Sequence, residues 1–419
     1  MAHSLSFPLS LVLAVCTALA TMLLYRYGRQ GKVVAWMGST ASSRWLLGIG
    51  ALLLAFEGTW SVPVHSSVAF TAYLVVLLLS LGMQLPKVST KSACLPDIQA
   101  WLSQVGLWLI VAGSLFGAPD RISCKMQLYA GEAGNIAYMG DDETVSLPFT
   151  VALDKFETEY YETDVSAPRQ FRSHLLTDGR NMVTEVNAPA SYQGYDIFQV
   201  GGSTDDGGYS VLQLVRDPWL PVVYLGMSLL AVAAVLQSLG RWNIKVMLPV
   251  VLAISLVFTM LSIAKINFQT LIPALRSWWF VPHLGMYMVA YALVAIAVVV
   301  VIRNQFRYGK TESAGGDSTL AMRLMQSASG LILLGMLMGS VWARQAWGDY
   351  WSWDPKENWA AVTWIMTQMC LPDRQACMQE TSGRRRQALC IILTFISLQI
   401  TWYGVNYLPS AVNSMHTYN

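Results

Sequence analysis

The chain has 419 residues, of which 54% are hydrophobic and only 12% are charged. Soluble globular domains usually carry about 25% charged residues, so this composition argues against a soluble enzyme. The formal net charge is only +2, which argues against a general affinity for nucleic acid. The composition therefore predicts a membrane protein with lipid as its main solvent.

Ten apolar stretches are long enough to cross a hydrocarbon core of roughly 30 Å as helices. They lie near residues 8–25, 45–60, 67–85, 99–117, 218–240, 247–264, 281–302, 324–342, 359–371 and 387–407. The loops on one side of these spans hold 16 Lys and Arg, whereas the short loops on the other side hold 4. Because basic residues are retained on the cytoplasmic side, this asymmetry predicts that both chain termini lie outside.

The charged residues are concentrated in one segment. Residues 118–217 contain 23 of the 52 charged side chains, 16 acidic and 7 basic. Apolar and polar residues alternate there in three predicted strands: 146–153, 195–200 and 209–215. Four glycines predict a turn: Gly201, Gly202, Gly207 and Gly208. The predicted fold class is therefore an all-α polytopic membrane bundle of about 10 transmembrane helices with one inserted extracytoplasmic β-rich domain.

The inserted segment shows no catalytic pattern. Its single histidine, His174, stands among polar residues and is interpreted as a solvated surface group. Of the six cysteines, only Cys124 falls in this segment, so an internal disulfide is excluded there. No cysteines form a C-x-x-C pair, and the chain is not predicted to be a thiol-disulfide enzyme by itself.

A tryptophan-rich loop, residues 342–364, is the most informative segment, and it falls on the outer side. An interfacial aromatic belt would explain two or three tryptophans, but five lie between residues 347 and 364. Flat indoles make a surface for a large planar apolar ligand, while the interleaved charges can meet carboxylates or orient the loop. The candidate binding residues are Trp347, Tyr350, Trp351, Trp353, Asp354, Glu357 and Trp359.

Two histidines flank this loop on the same side of the membrane. His283 begins the seventh predicted helix, and His416 follows the tenth. Either one alone is most simply a hydrogen-bonded interfacial histidine. Together, beside an aromatic platform and in a chain with 5 histidines, they suggest axial ligands to haem iron.

These motifs resemble a known family. From about Ile272 to the C-terminus the chain resembles the CcsA branch of the haem-handling proteins of cytochrome c maturation. The similarity rests on W-A-R-Q-A-W-G-D-Y-W-S-W-D-P-K-E-N-W-A at 342–360, S-W-W-F-V-P-H at 277–283, G-V-N at 404–406 and M-H-T-Y at 415–418.

Upstream, the second to fifth helices and the outer domain resemble the partner family ResB, also called CcsB. This similarity rests on His65-Ser66 before a helix, V-N-A-P-A-S-Y-Q-G-Y at 186–195 and V-R-D-P at 215–218. The resemblance implies a compact fusion of the CcsBA type. Its N-terminal part is expected to contain four helices at 1–117, with the ResB-like region starting at about residue 45. The β-rich domain at 118–217, two helices at 218–264 and a CcsA-like haem-handling domain at 265–419 follow.

The resemblance implies a System II holocytochrome c synthase, also called a cytochrome c haem lyase. Haem b would be ligated by His283 and His416, with its edge on the tryptophan-rich loop. It would be attached covalently to the C-x-x-C-H motif of apocytochrome c. The reaction would take place on the outer, periplasmic face of a bacterial cytoplasmic membrane. Thiol reductant proteins and membrane lipid are further implied partners. A haem transporter or chaperone without ligation activity is the alternative, and a scaffold subunit is a third.

One departure from the family concerns a second haem site within the membrane. The family commonly supplies a histidine just after the helix that follows the tryptophan-rich loop, where this chain has Pro372. Proline cannot bind iron. The predicted topology puts every histidine on the outer side: His3, His65, His174, His283 and His416. The sequence therefore predicts one bis-histidine haem per chain, at the outer site, with any inner site weak, without histidine or supplied by another subunit.

Overall fold

The computed structural model of the protein describes residues 6–28, 31–84, 95–140, 143–204, 208–239, 271–308, 315–371 and 381–414. Before the sheet, its α-helices are α1 (Leu9–Tyr27), α2 (Lys32–Met37), α3 (Thr40–Trp60), α4 (Val68–Gln84) and α5 (Leu95–Gly117). After the sheet they are α6 (Leu220–Leu239), α7 (Phe280–Tyr308), α8 (Gly315–Trp347), α9 (Pro355–Cys370) and α10 (Thr381–Trp402).

Five of the described helices are long and apolar enough to cross a membrane. These spans are Leu9–Tyr27, Ile98–Asp120, Leu220–Ser238, Phe280–Phe306 and Thr319–Trp347, and two shorter apolar helices cover Val68–Gln84 and Arg386–Trp402. The protein is thus a multi-pass membrane protein. Helices occupy nine of the ten predicted spans, and the remaining one, 247–264, lies outside the described residues.

The inserted segment forms an eight-stranded antiparallel sheet in the order β5-β4-β3-β2-β1-β8-β7-β6. The strands are β1 (Ile122–Tyr129), β2 (Ala133–Met139), β3 (Glu143–Tyr161), β4 (Asp164–Thr177), β5 (Arg180–Glu185), β6 (Ala190–Tyr192), β7 (Tyr195–Ser203) and β8 (Tyr209–Arg216). All three strands predicted from alternation are present, as β3, β7 and β8. The predicted antiparallel β domain is therefore confirmed.

The first and last strands of the domain pair with each other, from Ile122 opposite Arg216 to Tyr129 opposite Tyr209. The chain therefore enters the domain from α5 and leaves it into α6 at adjacent points. These two helices touch through glycines: a Cβ on Gly106 would lie 2.7 Å from the carbonyl oxygen of Gly226. The close approach keeps the two connections to the β domain side by side.

The predicted glycine turn is only partly correct. Gly201 and Gly202 lie inside β7, and Gly207 lies outside the described residues. A Cβ on Gly202 would lie 2.5 Å from the carbonyl oxygen of Tyr209 on β8, so this glycine allows two strands to approach closely. Gly208 has φ +77°, a backbone conformation that favours glycine before β8.

The structure shows how far the histidine and the cysteine of the domain are buried. His174 is half-buried on β4, and its Nε2 lies 3.4 Å from a carboxylate oxygen of Glu157 on the neighbouring β3. The His174 side chain keeps 35% exposure, so it is a surface histidine that is also paired with Glu157. Cys124 is buried in β1, because its side chain is one of the alternating residues that face the apolar core of the sheet.

The C-terminal helices α7, α8, α9 and α10 share one apolar core. Its buried members are Ala290, Leu293, Val294, Ala297, Ala321, Leu324, Met325, Ala328, Leu331, Ile332, Cys370, Ile391 and Leu398. Small residues on α7 and α8 let the two helix backbones come close together. This bundle supports the tryptophan-rich loop at one end, where α8 stops and α9 starts.

Candidate functional site

The tryptophan-rich loop comprises the end of α8, a short connection and the start of α9. The connection begins at Gly348, which has φ +88°. A Cβ there would lie 2.9 Å from Val215 and 3.1 Å from Phe198 of the β domain. Glycine is thus required at this position both for the backbone conformation and for the close contact.

Asp354 and Glu357 cap the start of α9 reciprocally. Asp354 is the N-cap residue, and its carboxylate accepts the backbone N–H of Lys356 at 2.8 Å. Glu357 reaches back to accept the N–H groups of Asp354 at 3.2 Å and Ser352 at 2.8 Å. Such a capping box satisfies helix N–H groups that have no partner within the helix. Both carboxylates therefore orient the loop.

The start of the loop is tied to the β domain by ion pairs. Buried Arg344, in the last turn of α8, donates from Nη2 to Asp196 of β7 at 2.7 Å. Its guanidinium also lies over the ring of Phe198, 4.9 Å from the centroid. Arg121, next to the first strand, pairs with Asp349 in the loop. Movement of the β domain would therefore be transmitted to the loop.

Tyr350 is held at the same junction. Its hydroxyl and that of Ser114 on α5 are hydrogen-bonded at 3.0 Å. Burial raises the pKa of the Tyr350 phenol, so the hydroxyl stays protonated at neutral pH. Burial also raises the pKa of nearby Asp217, with the Arg121 charge acting in the opposite direction. The junction is thus a partly buried polar cluster between the sheet and the helices.

Trp353 is the most constrained tryptophan of the loop. Its backbone has φ +60°, which is rare for a bulky residue. The His65 ring stacks flat on its indole, with centroids 4.8 Å apart and an interplanar angle of 3°. Phe70 and Trp351 meet the same indole edge-on at 5.3 Å and 6.3 Å. The N-terminal helices thus contact the platform directly.

Trp359 and Trp347 lie at opposite ends of the loop. Trp359, in the first turns of α9, packs on Gly58 of α3, where a Cβ would lie 3.0 Å from its Cδ1. Trp347, the last residue of α8, lies 6.1 Å from Trp342 between ring centroids. The predicted aromatic residues therefore do not form one flat stack. They line a loop whose two ends face the β domain and α3.

His283 occupies the first turns of α7 and faces α8. Its Nδ1 donates to the carbonyl oxygen of Gly335 at 2.8 Å, which leaves the lone pair on Nε2. The ring packs against Tyr287 at 5.1 Å and Trp342 at 5.9 Å. A Cβ on Gly339 would lie 2.7 Å from its Cε1, so glycine makes room for the imidazole. A ring nitrogen fixed by a carbonyl is the usual arrangement in metal-binding histidines.

The second predicted ligand, His416, lies outside the described residues. The described chain ends at Ser414, whose hydroxyl donates to the N-cap carboxylate of Asp354 at 3.2 Å. Another C-terminal residue, Ser410, donates to the carbonyl of Gly58 on α3 at 2.6 Å. The segment that precedes His416 is therefore fixed to the start of α9, beside the tryptophan-rich loop.

Three of these contacts could not be found by sequence reasoning: His65 with Trp353, Arg344 with Asp196, and His283 with Gly335. Each joins residues far apart in the chain, and periodicity carries only local information. The capping box did have a signal, since Asp and Glu three residues apart precede an apolar helix. No group of three or more His, Cys, Asp or Glu that could hold a metal ion occurs among the described residues.

Comparison with known proteins finds two families in the chain. Residues 219–412 match the family described as cytochrome C assembly protein, and residues 104–208 match the ResB-like family. The first match contains α6 to α10 with the tryptophan-rich loop and His283. The second contains most of α5 and nearly all of the sheet.

Several curated relatives are named cytochrome c biogenesis protein CcsA. The one from Guillardia theta is 32% identical over 171 residues, covering 34% of this chain and 56% of its own length. That from Prochlorococcus marinus (strain MIT 9312) is 30% identical over 206 residues, covering 40% and 66%. The chain thus covers 56% and 66% of the length of these two relatives. It joins a ResB-like segment to a cytochrome c assembly segment, the combination that fits a fused CcsBA protein.

Proposed function

We propose that the protein delivers haem b to the outer face of the membrane and attaches it covalently to C-x-x-C-H motifs of apocytochrome c. The observation that carries the proposal is the setting of His283. Its Nδ1 donates to the carbonyl oxygen of Gly335, and its ring packs against Trp342 of the tryptophan-rich loop. The CcsA and ResB-like matches support the same role.

In this proposal haem is a substrate held for transfer. His283 and His416 supply the two axial ligands, and Trp347, Tyr350, Trp351, Trp353 and Trp359 line the loop that receives the edge of the porphyrin. Asp354 and Glu357 act by fixing the start of α9. The chain contributes proximity and orientation, while the porphyrin vinyl groups supply the electrophile.

The formation of the thioether bonds balances in atoms and electrons without an external oxidant. The histidine of the C-x-x-C-H motif replaces one axial histidine on the iron. Each cysteine thiol then adds across one vinyl group: its sulfur bonds to one vinyl carbon and its proton goes to the other. Thiol reductant proteins would keep the two cysteines reduced, and the histidine of this chain that stays on the iron would hold the haem in place during the transfer.

The location on the outer face rests on the distribution of Lys and Arg. One set of loops carries 16 of these residues and the short loops on the opposite side carry 4. In a bacterial cytoplasmic membrane this asymmetry favours a periplasmic position for the β domain and the tryptophan-rich loop. The apocytochrome would therefore reach the site after its own export.

Co-expression with a reporter apocytochrome tests the synthase activity. In bacteria that lack their own cytochrome c maturation system, we expect the parent protein to yield a reporter that keeps its haem after denaturing electrophoresis. A reporter with serine in place of both motif cysteines is the matched control and should keep none. Haem-loaded protein without any covalent product would instead favour a transporter or chaperone.

A further inference from the structure

Buried Glu57 and partly exposed His65 form a pair at the outer end of α3. Glu57 lies in the last turn of this helix and is only 5% exposed. One of its carboxylate oxygens accepts the backbone N–H of His65 at 3.0 Å, and the other binds His65 Nδ1. Ser61, with φ +53°, reverses the chain between them. An isolated buried carboxylate is costly, so this pairing fixes the position of the imidazole.

The fixed imidazole covers one face of Trp353. The rings are 4.8 Å apart and nearly parallel, at 3°. Phe70, in the next helix α4, closes one edge at 5.3 Å. On the other side of the residue, the Asn358 side chain donates to the Trp353 carbonyl at 3.0 Å. The indole is therefore held by His65, between α3 and α4, and by Phe70 of α4, while Asn358 of α9 holds the backbone of the same residue.

Trp353 needs such support because of its backbone. A tryptophan at φ +60° is strained and persists only when the surrounding contacts over-determine it. The next residue, Asp354, is the N-cap of α9 and binds Ser414 near the C-terminus. A change in the Trp353 conformation would therefore shift both the aromatic surface and the start of α9.

We infer that Glu57 and His65 are positioning residues for the tryptophan-rich loop. Glu57 orients His65, and His65 holds Trp353 by stacking, so that the N-terminal helices set the geometry of the haem platform. This inference rests on the proposed function. His65 acts through Trp353 and does not bind the iron.

Two substitutions at His65 separate the ring from the hydrogen bond. His65→Phe keeps a flat ring on Trp353 but loses the donor toward Glu57. His65→Asn keeps an amide near the position of Nδ1 but has no ring to stack. The matched control is His174→Asn, which alters a half-buried histidine in the β domain away from the loop.

The readouts are the yield of haem-bound reporter per protein and the near-ultraviolet circular dichroism of the haem-free protein. We expect His65→Asn to lower the yield by about 10-fold to 100-fold and to change the tryptophan dichroism, because small misplacements of a reacting group have effects of this size. His65→Phe should lose less than His65→Asn but more than the control, because stacking is retained while the Glu57 carboxylate loses its partner on the ring. His174→Asn should match the parent.

Two results would overturn the inference. The first is a His65→Asn variant with parental yield and dichroism. The second is an equal loss in both His65 variants that added imidazole restores, which would make His65 an iron ligand. A parent that produces no haem-bound reporter would contradict the proposed function. In that case the dichroism of the haem-free variants still tests whether His65 holds Trp353.

Discussion

Replacing His283 with glycine is expected to lower haem occupancy by at least about 100-fold. Loss of a group that merely orients a metal ligand costs roughly 10-fold to 100-fold in affinity, and the ligand itself should cost more. The measurement is the absorption spectrum of protein purified from haem-replete cells. The parent should show a six-coordinate, low-spin haem, and the variant should show almost none.

Added imidazole should partly restore this spectrum in the His283→Gly variant. The substitution leaves a space the size of the lost ring between Tyr287, Trp342 and Gly339. His416→Gly should behave in the same way. His174→Gly is the control and should keep the parental spectrum. If His283→Gly and His416→Gly both keep it, the ligand assignment is wrong.

A graded version of the same test uses Gly339→Ala. The new methyl group would lie 2.7 Å from Cε1 of His283, so the ring must move away from the carbonyl of Gly335. The ligand remains present, and the loss of haem should therefore be smaller than in His283→Gly.

The second large effect concerns the number of haems. We expect one equivalent of haem per chain in the parent and almost none in a His283→Gly, His416→Gly double variant. Of the three remaining histidines, His65 is bound to Glu57 and Trp353, and His174 lies in the β domain. The third, His3, lies outside the described residues, and the predicted topology puts it on the outer side.

The thiol of Cys370 at the end of α9 is also poorly placed to bind iron. Cys370 is 2% exposed, and its sulfur lies 3.5 Å from the hydroxyl of Thr394 on α10 within the shared apolar core. The ratio of haem to protein is measured from the pyridine haemochrome absorbance and the protein concentration. About two equivalents in the parent and one in the double variant would show a separate inner site and refute the prediction.

The parts of the fold that depend on local pattern were predictable. Alternation located β3, β7 and β8, because one face of each strand packs into the core of the sheet. The two interior glycines of β7 were assigned to a turn, since glycine is common in turns. In the structure Gly202 instead allows β7 and β8 to approach closely. The need for glycine there depends on the partner strand, which the local sequence of β7 does not reveal.

The composition of the candidate site was predictable, but its assembly was not. The tryptophans, Asp354 and Glu357 stand close together in the sequence, and so their clustering was visible. His65 precedes Trp353 by a long stretch of chain that includes the whole β domain. Only the packing of α3 on α9 through Gly58 brings the two rings together.

A single-turnover reaction of purified components tests whether the protein attaches haem covalently at the outer site. Haem-loaded protein is mixed with reduced reporter apocytochrome, and the mass of the denatured reporter is measured. The reporter should gain the mass of one haem, and the His283→Gly variant should give no such product. A reporter that binds haem but has its original mass after denaturation would contradict covalent attachment.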